Sequence, residues 1–364
     1  MKKKSKESTI VTSSKPARQR KAWKVLLLSV VAFAIIFSVV SLLVTKSVFD
    51  ANFGRVNPPQ YTMSLRYADV AGYERTQVGF PSGKNNLIGY VYGEENGKGL
   101  VVLAHGLGGG AESNTALTIA LVDNGWRVFA YDCTGSYSSE GNGTEGLPQS
   151  ALDLDAALNY AESQNWDLPI MLYGHSWGGY AVAAVLDMGH DISAAISVAG
   201  YASPDALLRE QMQDMMGEFS TVAYPFGWFY QRMLFGEDAQ WSAIDAINNS
   251  SVPIMIIHGA EDEMIRYDGA GIIAHRGEIT NPNAVYVTRN AVGQNGHNNL
   301  LGSLAAARYV EEKKAEYEII QETYGGEIPD DVRAGYYANI DKFLASELDV
   351  DLLGEMIAFY EAHL

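Results

Sequence analysis

The apolar positions fall into three stretches with different periods. From Val25 to Val44 the chain reads VLLLSVVAFAIIFSVVSLLV, free of charge throughout, and as a helix it would be about 30 Å long, the thickness of a bilayer core. From Asn52 to Thr62 the sequence is polar and holds Pro58 and Pro59, which reads as a tether leading to a folded body near Met63. TQVGF and LIGYVYG, separated by the turn cluster PSGKNN, predict an early hairpin. After the hairpin come short apolar runs: GLVVLAHG at 99–106, RVFAYD at 127–132, PIMLYGHS at 169–176, ISAAISVAG at 192–200, PIMIIHG at 253–259 and AVYVTRN at 284–290. Several are apolar at consecutive positions, as strands covered on both faces must be. TALTIALVDNGW, SALDLDAALNYAESQ and WGGYAVAAVLDMG lie between them with helical spacing. Strand, helix, strand in repetition predicts an α/β fold: a mostly parallel sheet flanked by helices.

The rhythm breaks between Tyr201 and Val252. That stretch is rich in methionine and aromatic residues, from Met212, Met215 and Met216 through Phe219, Phe226 and Trp228 to Met233 and Trp241. A connection this long inside an α/β unit is an insertion. It reads either as a helical excursion with its own small core or as a lid over a greasy pocket, and we place this cap at 202–250, before the strand at 253.

Composition and charge sharpen the outline. The 364 residues are 47% hydrophobic and 19% charged, the balance of a chain that buries a sizeable core. Nine Lys or Arg within residues 1–24, against Glu7 alone, give that segment +8, so a net charge of −17 leaves −25 on the rest. A body so acidic repels nucleic acid. The basic segment instead marks a membrane orientation: the positive-inside rule keeps it cytoplasmic and sends the rest across. A signal peptide would have a shorter apolar run and a small-residue cleavage site, whereas this run meets Lys46. The expectation is a single-pass cell-membrane protein with a basic tail at 1–24, a transmembrane helix at 25–45, a linker at 46–62 and a body at 63–364 outside the cytoplasm. The single cysteine, Cys133, forms no intrachain disulfide and no zinc-type spacing.

Candidate chemistry centres on YGHSWGGY, 173–180. A strand-like run enters Ser176 and a helical run leaves it, the context a sharp strand-to-helix turn needs; Gly174, Gly178 and Gly179 allow the close backbone approach. A serine at a helix N-terminus faces unpaired N–H groups where negative charge would develop. AHGLGGG, 104–110, offers a second backbone donor after an early strand, and the oxyanion donors are assigned to the N–H groups of Leu107 and Trp177. His105 reads as a structural histidine. Of seven histidines, His297 in GQNGHNNL lies in a Gly- and Asn-rich loop after the last strand, where an imidazole can reach back over the sheet. For the acid, IIHGAEDEMI offers Glu261, Asp262 and Glu263 just past a strand end.

Taken together, HGLGG, GHSWGG, HGAED and NGHNN make the chain resemble the α/β-hydrolase family over residues 75–310, in particular the serine hydrolases grouped with monoacylglycerol lipases and prolyl-type aminopeptidases. The resemblance implies a Ser-His-Asp triad of Ser176, His297 and Asp262, Asp262 being chosen over its neighbours on this pattern. It implies an α/β-hydrolase fold with a helical cap inserted before the acid-bearing strand, and acyl transfer through a covalent acyl-enzyme. An acyl ester is the expected substrate. A short peptide is the alternative, with Glu210, Asp214 or Glu218 of the cap holding its ammonium; a non-catalytic binding relative is a further one. No cofactor, metal or nucleic-acid partner is expected, since the sequence carries no dinucleotide, metal or phosphate motif. Two departures stand out. Thr134 in YDCTGSYSSEG replaces an arginine often present in relatives, so an ion pair is not expected there; and about 311–364 reads as helices added beyond the usual last one.

Overall fold

The computed structural model describes residues 15–364, with side chains from Gln19 onward, so the part of the basic tail before Lys15 lies outside the described residues. The strands are β1 (Arg75–Ser82), β2 (Asn85–Tyr92), β3 (Leu100–Ala104), β4 (Arg127–Tyr131), β5 (Ile170–His175), β6 (Ile192–Val198), β7 (Ile254–Gly259) and β8 (Ala284–Arg289). They form one sheet in the order β1-β2-β4-β3-β5-β6-β7-β8. The hairpin strand β2 runs antiparallel to β1 and β4, and all other neighbours are parallel.

The helices are α1 (Lys15–Asn52), α2 (Thr115–Asp123), α3 (Gln149–Ser163), α4 (Trp177–Ala184), α5 (Pro204–Met216), α6 (Ser220–Phe235), α7 (Ala243–Asn249), α8 (Leu304–Thr323), α9 (Asp330–Ala338), α10 (Lys342–Ala345) and α11 (Val350–Glu361). Every residue of β3 and of β7 is buried, because alternate side chains meet different helix layers. Val102, Leu172 and Ile256 pack with Leu154 and Leu158 of α3, Val182 of α4 and Ile247 of α7. Their strand neighbours Val101, Met171 and Ile257 pack on the other face with Leu117 and Leu121 of α2 and with Leu352, Met356 and Tyr360 of α11.

Three expectations are corrected. First, α1 does not stop at the end of its charge-free run but continues to Asn52. Its last turns are held by tertiary packing: Phe49 is buried, with its ring centroid 5.0 Å from that of Tyr230 on α6.

Second, the segment read as a tether is docked on the body. Arg55 donates to the carbonyls of Ser139 (3.0 Å), Gly141 (2.7 Å) and Tyr137 (2.8 Å), and Gly54 and Val56 bridge to Gly143 and Ser136. A polar, Pro-containing composition shows the absence of local structure, and these bonds are all long-range.

Third, the C-terminal helices are not all additions. α11 is a sheet-covering helix: Tyr360 donates to the Leu172 carbonyl at 2.7 Å and packs on Trp126. α8–α10 precede it in the chain, and α8 buries only Ala306 among its residues.

At the Thr134 position neutral groups do the bonding. The buried Asp153 carboxylate accepts from the Thr134 N–H (2.7 Å) and hydroxyl (2.9 Å), Ser82 Oγ (2.7 Å) and Gln149 Nε2 (2.9 Å).

Candidate active site

Ser176 joins β5 directly to α4 with φ 56° and ψ −115°, a left-handed conformation costly for any residue with a Cβ. Packing holds it there. The Ser176 N–H donates to the Val198 carbonyl (2.8 Å), and the Ser176 carbonyl accepts from the Tyr180 N–H (2.9 Å). The turn is tight enough that a Cβ on Gly174 would lie 2.1 Å from the Gly178 carbonyl oxygen, and one on Gly178 would lie 2.2 Å from that of Ala104. Both positions therefore require glycine.

The acid and base loops meet beyond β7 and β8. His297 Nδ1 lies 2.8 Å from Oδ2 and 3.0 Å from Oδ1 of Asp262, and both side chains are buried. Since a carboxylate only accepts, Nδ1 carries the proton and Nε2 is left as the basic nitrogen. The Asp262 carboxylate also accepts from the N–H groups of Met264 (2.9 Å) and Ile265 (2.8 Å). Burial alone would raise its pKa, but the close His258 ring and the hydrogen bond from His297 prevail and hold it well below the usual carboxylate range. Of the three candidate acids Asp262 alone is buried: Glu261 and Glu263 are exposed. Glu263 has another task, accepting from the His297 N–H at 3.1 Å.

Two histidines that the sequence reading set aside belong to this network. His258 Nε2 donates to the Ile265 carbonyl (2.9 Å) and lies 3.3 Å from Asp262 Oδ2. Its HG strand-end position, four residues before Asp262, was the available signal. His175 Nε2 donates to the His297 carbonyl (2.9 Å), its ring centroid 4.9 Å from that of His297. Burial, then the neighbouring His297, depress the His175 pKa to about 4, so it is a neutral donor near neutrality.

The loop after β3 brings Leu107 to a cavity that Ser176 also lines. Among the described residues no backbone carbonyl accepts from its N–H. Trp177 opens α4, where an N–H has no intrahelical partner. His105 is structural, as expected: Nδ1 donates to the Gly106 carbonyl (2.8 Å) and Nε2 accepts from the Cys133 N–H (2.9 Å). Both bonds need the neutral ring, and burial lowers its pKa to about 4.

Ser176, Leu107, Trp177 and His297 line one cavity of about 570 Å³, and Leu207, Leu208, Met212 and Met215 of α5 line it with them. Ser176 and His297 thus face one cavity, and among the described residues no hydrogen bond joins their side chains; such contacts often tighten only when substrate is bound. The cap carboxylates considered for an ammonium are engaged. Glu210 is buried and accepts from the N–H groups of Arg266 (3.0 Å) and Ala270 (2.7 Å) and from Arg266 Nε (3.2 Å), while Asp214 pairs with Arg266 Nη1 at 3.0 Å. They latch α5 to the loop carrying Asp262. Glu218 is exposed. Among the described residues no group of three or more His, Cys, Asp or Glu side chains is placed to hold a metal ion.

Residues 95–235 match the family model described as serine aminopeptidase, S33. No curated protein matches the chain. Among solved structures, the Pyrococcus furiosus esterase Pf2001 is similar at 18% identity over 74% of this chain and 98% of that one, with a TM-score of 0.52. A second crystal form of it gives 17% identity, 74% and 97% coverage and a TM-score of 0.50. Est1E from Butyrivibrio proteoclasticus with ferulic acid bound gives 18% identity, 68% and 99% coverage and a TM-score of 0.46. The likeness to Pf2001 carries the fold alone, and with the strand order, the flanking helices and the strand-to-helix turn at Ser176 it gives the conclusion that the chain has the α/β-hydrolase fold, with one N-terminal helix long and apolar enough to cross a membrane.

Proposed function

We propose that the protein is a membrane-anchored serine hydrolase that cleaves a carboxylic ester through Ser176, His297 and Asp262. The observation that carries this reading is the 2.8 Å bond from His297 Nδ1 to the buried Asp262, His297 lining the same cavity as Ser176. His297 Nε2 takes the Ser176 proton as Oγ attacks the ester carbonyl carbon. Negative charge moves to the carbonyl oxygen, and the N–H groups of Leu107 and Trp177, the latter at the positive end of α4, stabilise it. Collapse breaks the ester C–O bond. The alcohol departs with the proton His297 carried, leaving an acyl-Ser176; His297 then deprotonates water, which releases the acid and restores the serine. Asp262 holds the tautomer and balances the imidazolium.

An ester is favoured over an amino-terminal peptide because Glu210 and Asp214 are taken up by Arg266 and by backbone N–H groups. Helix α1 is the proposed single membrane span, its basic side cytoplasmic and the hydrolase body on the other side. Labelling of the full-length chain by a fluorophosphonate probe, and hydrolysis of short p-nitrophenyl esters, are expected to vanish in Ser176→Ala. Undiminished labelling of that variant would remove Ser176 from the mechanism.

A further inference from the structure

The anchor helix does more than hold the body to a membrane. Val48, Phe49, Asn52 and Phe53, at and just beyond its C-terminal end, line the same cavity as Ser176 and His297. Phe49 is buried against Tyr230, and the Phe53 ring packs beside it, tilted by 39°, with ring centroids 5.4 Å apart. The position is fixed from both sides, because Arg55 and the bridges at Gly54 and Val56 clamp the next residues to the loop after β4. One wall of the cavity is therefore built by the helix proposed to leave the bilayer.

The helical rise sets the depth of that wall. Phe49 lies five residues beyond Val44, the last residue of the charge-free run, which is about 8 Å along the axis. The interfacial zone on each side of a bilayer core is itself roughly 5–8 Å thick, so Phe49 stands at headgroup level. Further down, Phe37 touches Phe226 of α6, with centroids 5.9 Å apart, about 10 Å inside the charge-free run. The cap thus leans against the part of α1 that would lie in hydrocarbon. Its outer side chains suit that medium: Phe219 is 77% exposed, Met233 60% and Phe229 50%. Soluble monomers rarely leave so many large apolar side chains clustered and uncovered.

We infer that the C-terminal turns of α1 form a wall of the acyl-binding site, and that the substrate is an ester with a long acyl chain drawn from the bilayer that α1 crosses. This rests on the hydrolase reading above and names its substrate class. A bilayer-resident ester holds its carbonyl near the headgroups and its chain in hydrocarbon. That carbonyl meets the cavity at the level of Phe49, and the chain runs between α1 and α5 along Phe49, Phe53, Leu208, Met212 and Met215. A water-soluble ester has no need of such a wall.

The test uses the full-length chain in phosphatidylcholine vesicles and has two arms. In the first, kcat/KM is measured for p-nitrophenyl acetate and p-nitrophenyl laurate. The laurate-to-acetate ratio is expected to fall about tenfold in Phe49→Ala and in Phe53→Ala, to recover in Phe49→Leu, and to hold in Ile36→Ala, which alters the same helix away from the cavity. In the second, Ser176→Ala is irradiated with a palmitoyl ester carrying a diazirine at the chain end, and the adduct is mapped by mass spectrometry. Adducts on the peptide spanning 48–53 are expected. Unchanged ratios together with adducts confined to 25–44 or to the body would overturn the inference. If the wild type hydrolyses neither ester while adducts still map to 48–53, the hydrolase reading falls and the acyl wall stands.

Discussion

The turn at Ser176 and the cap above it line one cavity yet are built by opposite means. Around Ser176, His297 and Asp262 the side chains are mostly buried and the polar atoms engaged, and glycines at 174 and 178 bring backbones closer than any Cβ allows. In α5 and α6 many outward side chains, Met216, Phe229, Met233 and Leu234 among them, are large, apolar and uncovered, and a firm polar attachment is Glu210 and Asp214 on Arg266. The first region is determined by the chain itself. The second is completed by what lies against it, the end of α1 on one side and, by our inference, lipid on the other. Catalytic geometry tolerates little error, whereas a surface that admits varied acyl chains gains from deformable methionine.

The largest expected effect lies at the determined end. In Asp262→Asn the Oδ1 acceptor for Met264 and Ile265 remains, while the negative charge facing His297 is lost and the favoured tautomer with it. kcat for a short ester is expected to fall about 10⁴-fold, with little change in Tm. A large fall in Tm would mean that the carboxylate serves the loop more than the imidazole.

Next comes acid. His105 and His175 have pKa values near 4 in the fold and about 6.5 when unfolded, so between these values the unfolded chain binds more protons and stability falls as pH falls. Asp132 has the opposite sign: burial raises its pKa to about 6 although the N–H groups of Ala111 and Ser138 bind it, and it regains stability as it is protonated. Asp153, buried and raised likewise, acts on the side of Asp132, so the histidine share, on the order of 3 kcal/mol for each ring from pH 7 to pH 4, is read by difference. Denaturant unfolding in detergent at the two pH values is expected to show a smaller acid loss in His105→Gln than in the wild type, and an equal loss in both would contradict the neutral, buried state of that ring.

The same contrast governs what could be read from the sequence. The strands were legible because burial on both faces writes itself as consecutive apolar residues, and the loops bearing Ser176, Asp262 and His297 because each is a short motif at a strand end. Contacts between distant segments leave no local mark. Nothing in residues 46–62 announces that Phe49 meets Tyr230 or that Arg55 finds three carbonyls 82 to 86 residues away. α11 was misread because α8–α10 separate it from the rest of the body, although its Leu352, Met356 and Tyr360 spacing is that of a buried helix face. Glu210 looked available because a carboxylate on an amphipathic helix gives no sign of a distant arginine.

The smallest expected effect on stability comes from the cap, and it separates the two regions most sharply. Phe219, in the turn between α5 and α6, is 77% exposed, and replacing so exposed a side chain changes folding stability by no more than about 0.5 kcal/mol. Phe219→Ser in detergent should therefore keep the wild-type Tm. In vesicles the ring loses its apolar medium, and moving even part of a phenylalanine out of it costs on the order of 1 kcal/mol. Turnover of a membrane-dissolved laurate ester, relative to that of acetate in water, should then drop a few-fold. A variant that lowered Tm instead would place Phe219 in the cap's own core, and the cap would be as self-determined as the turn beneath it.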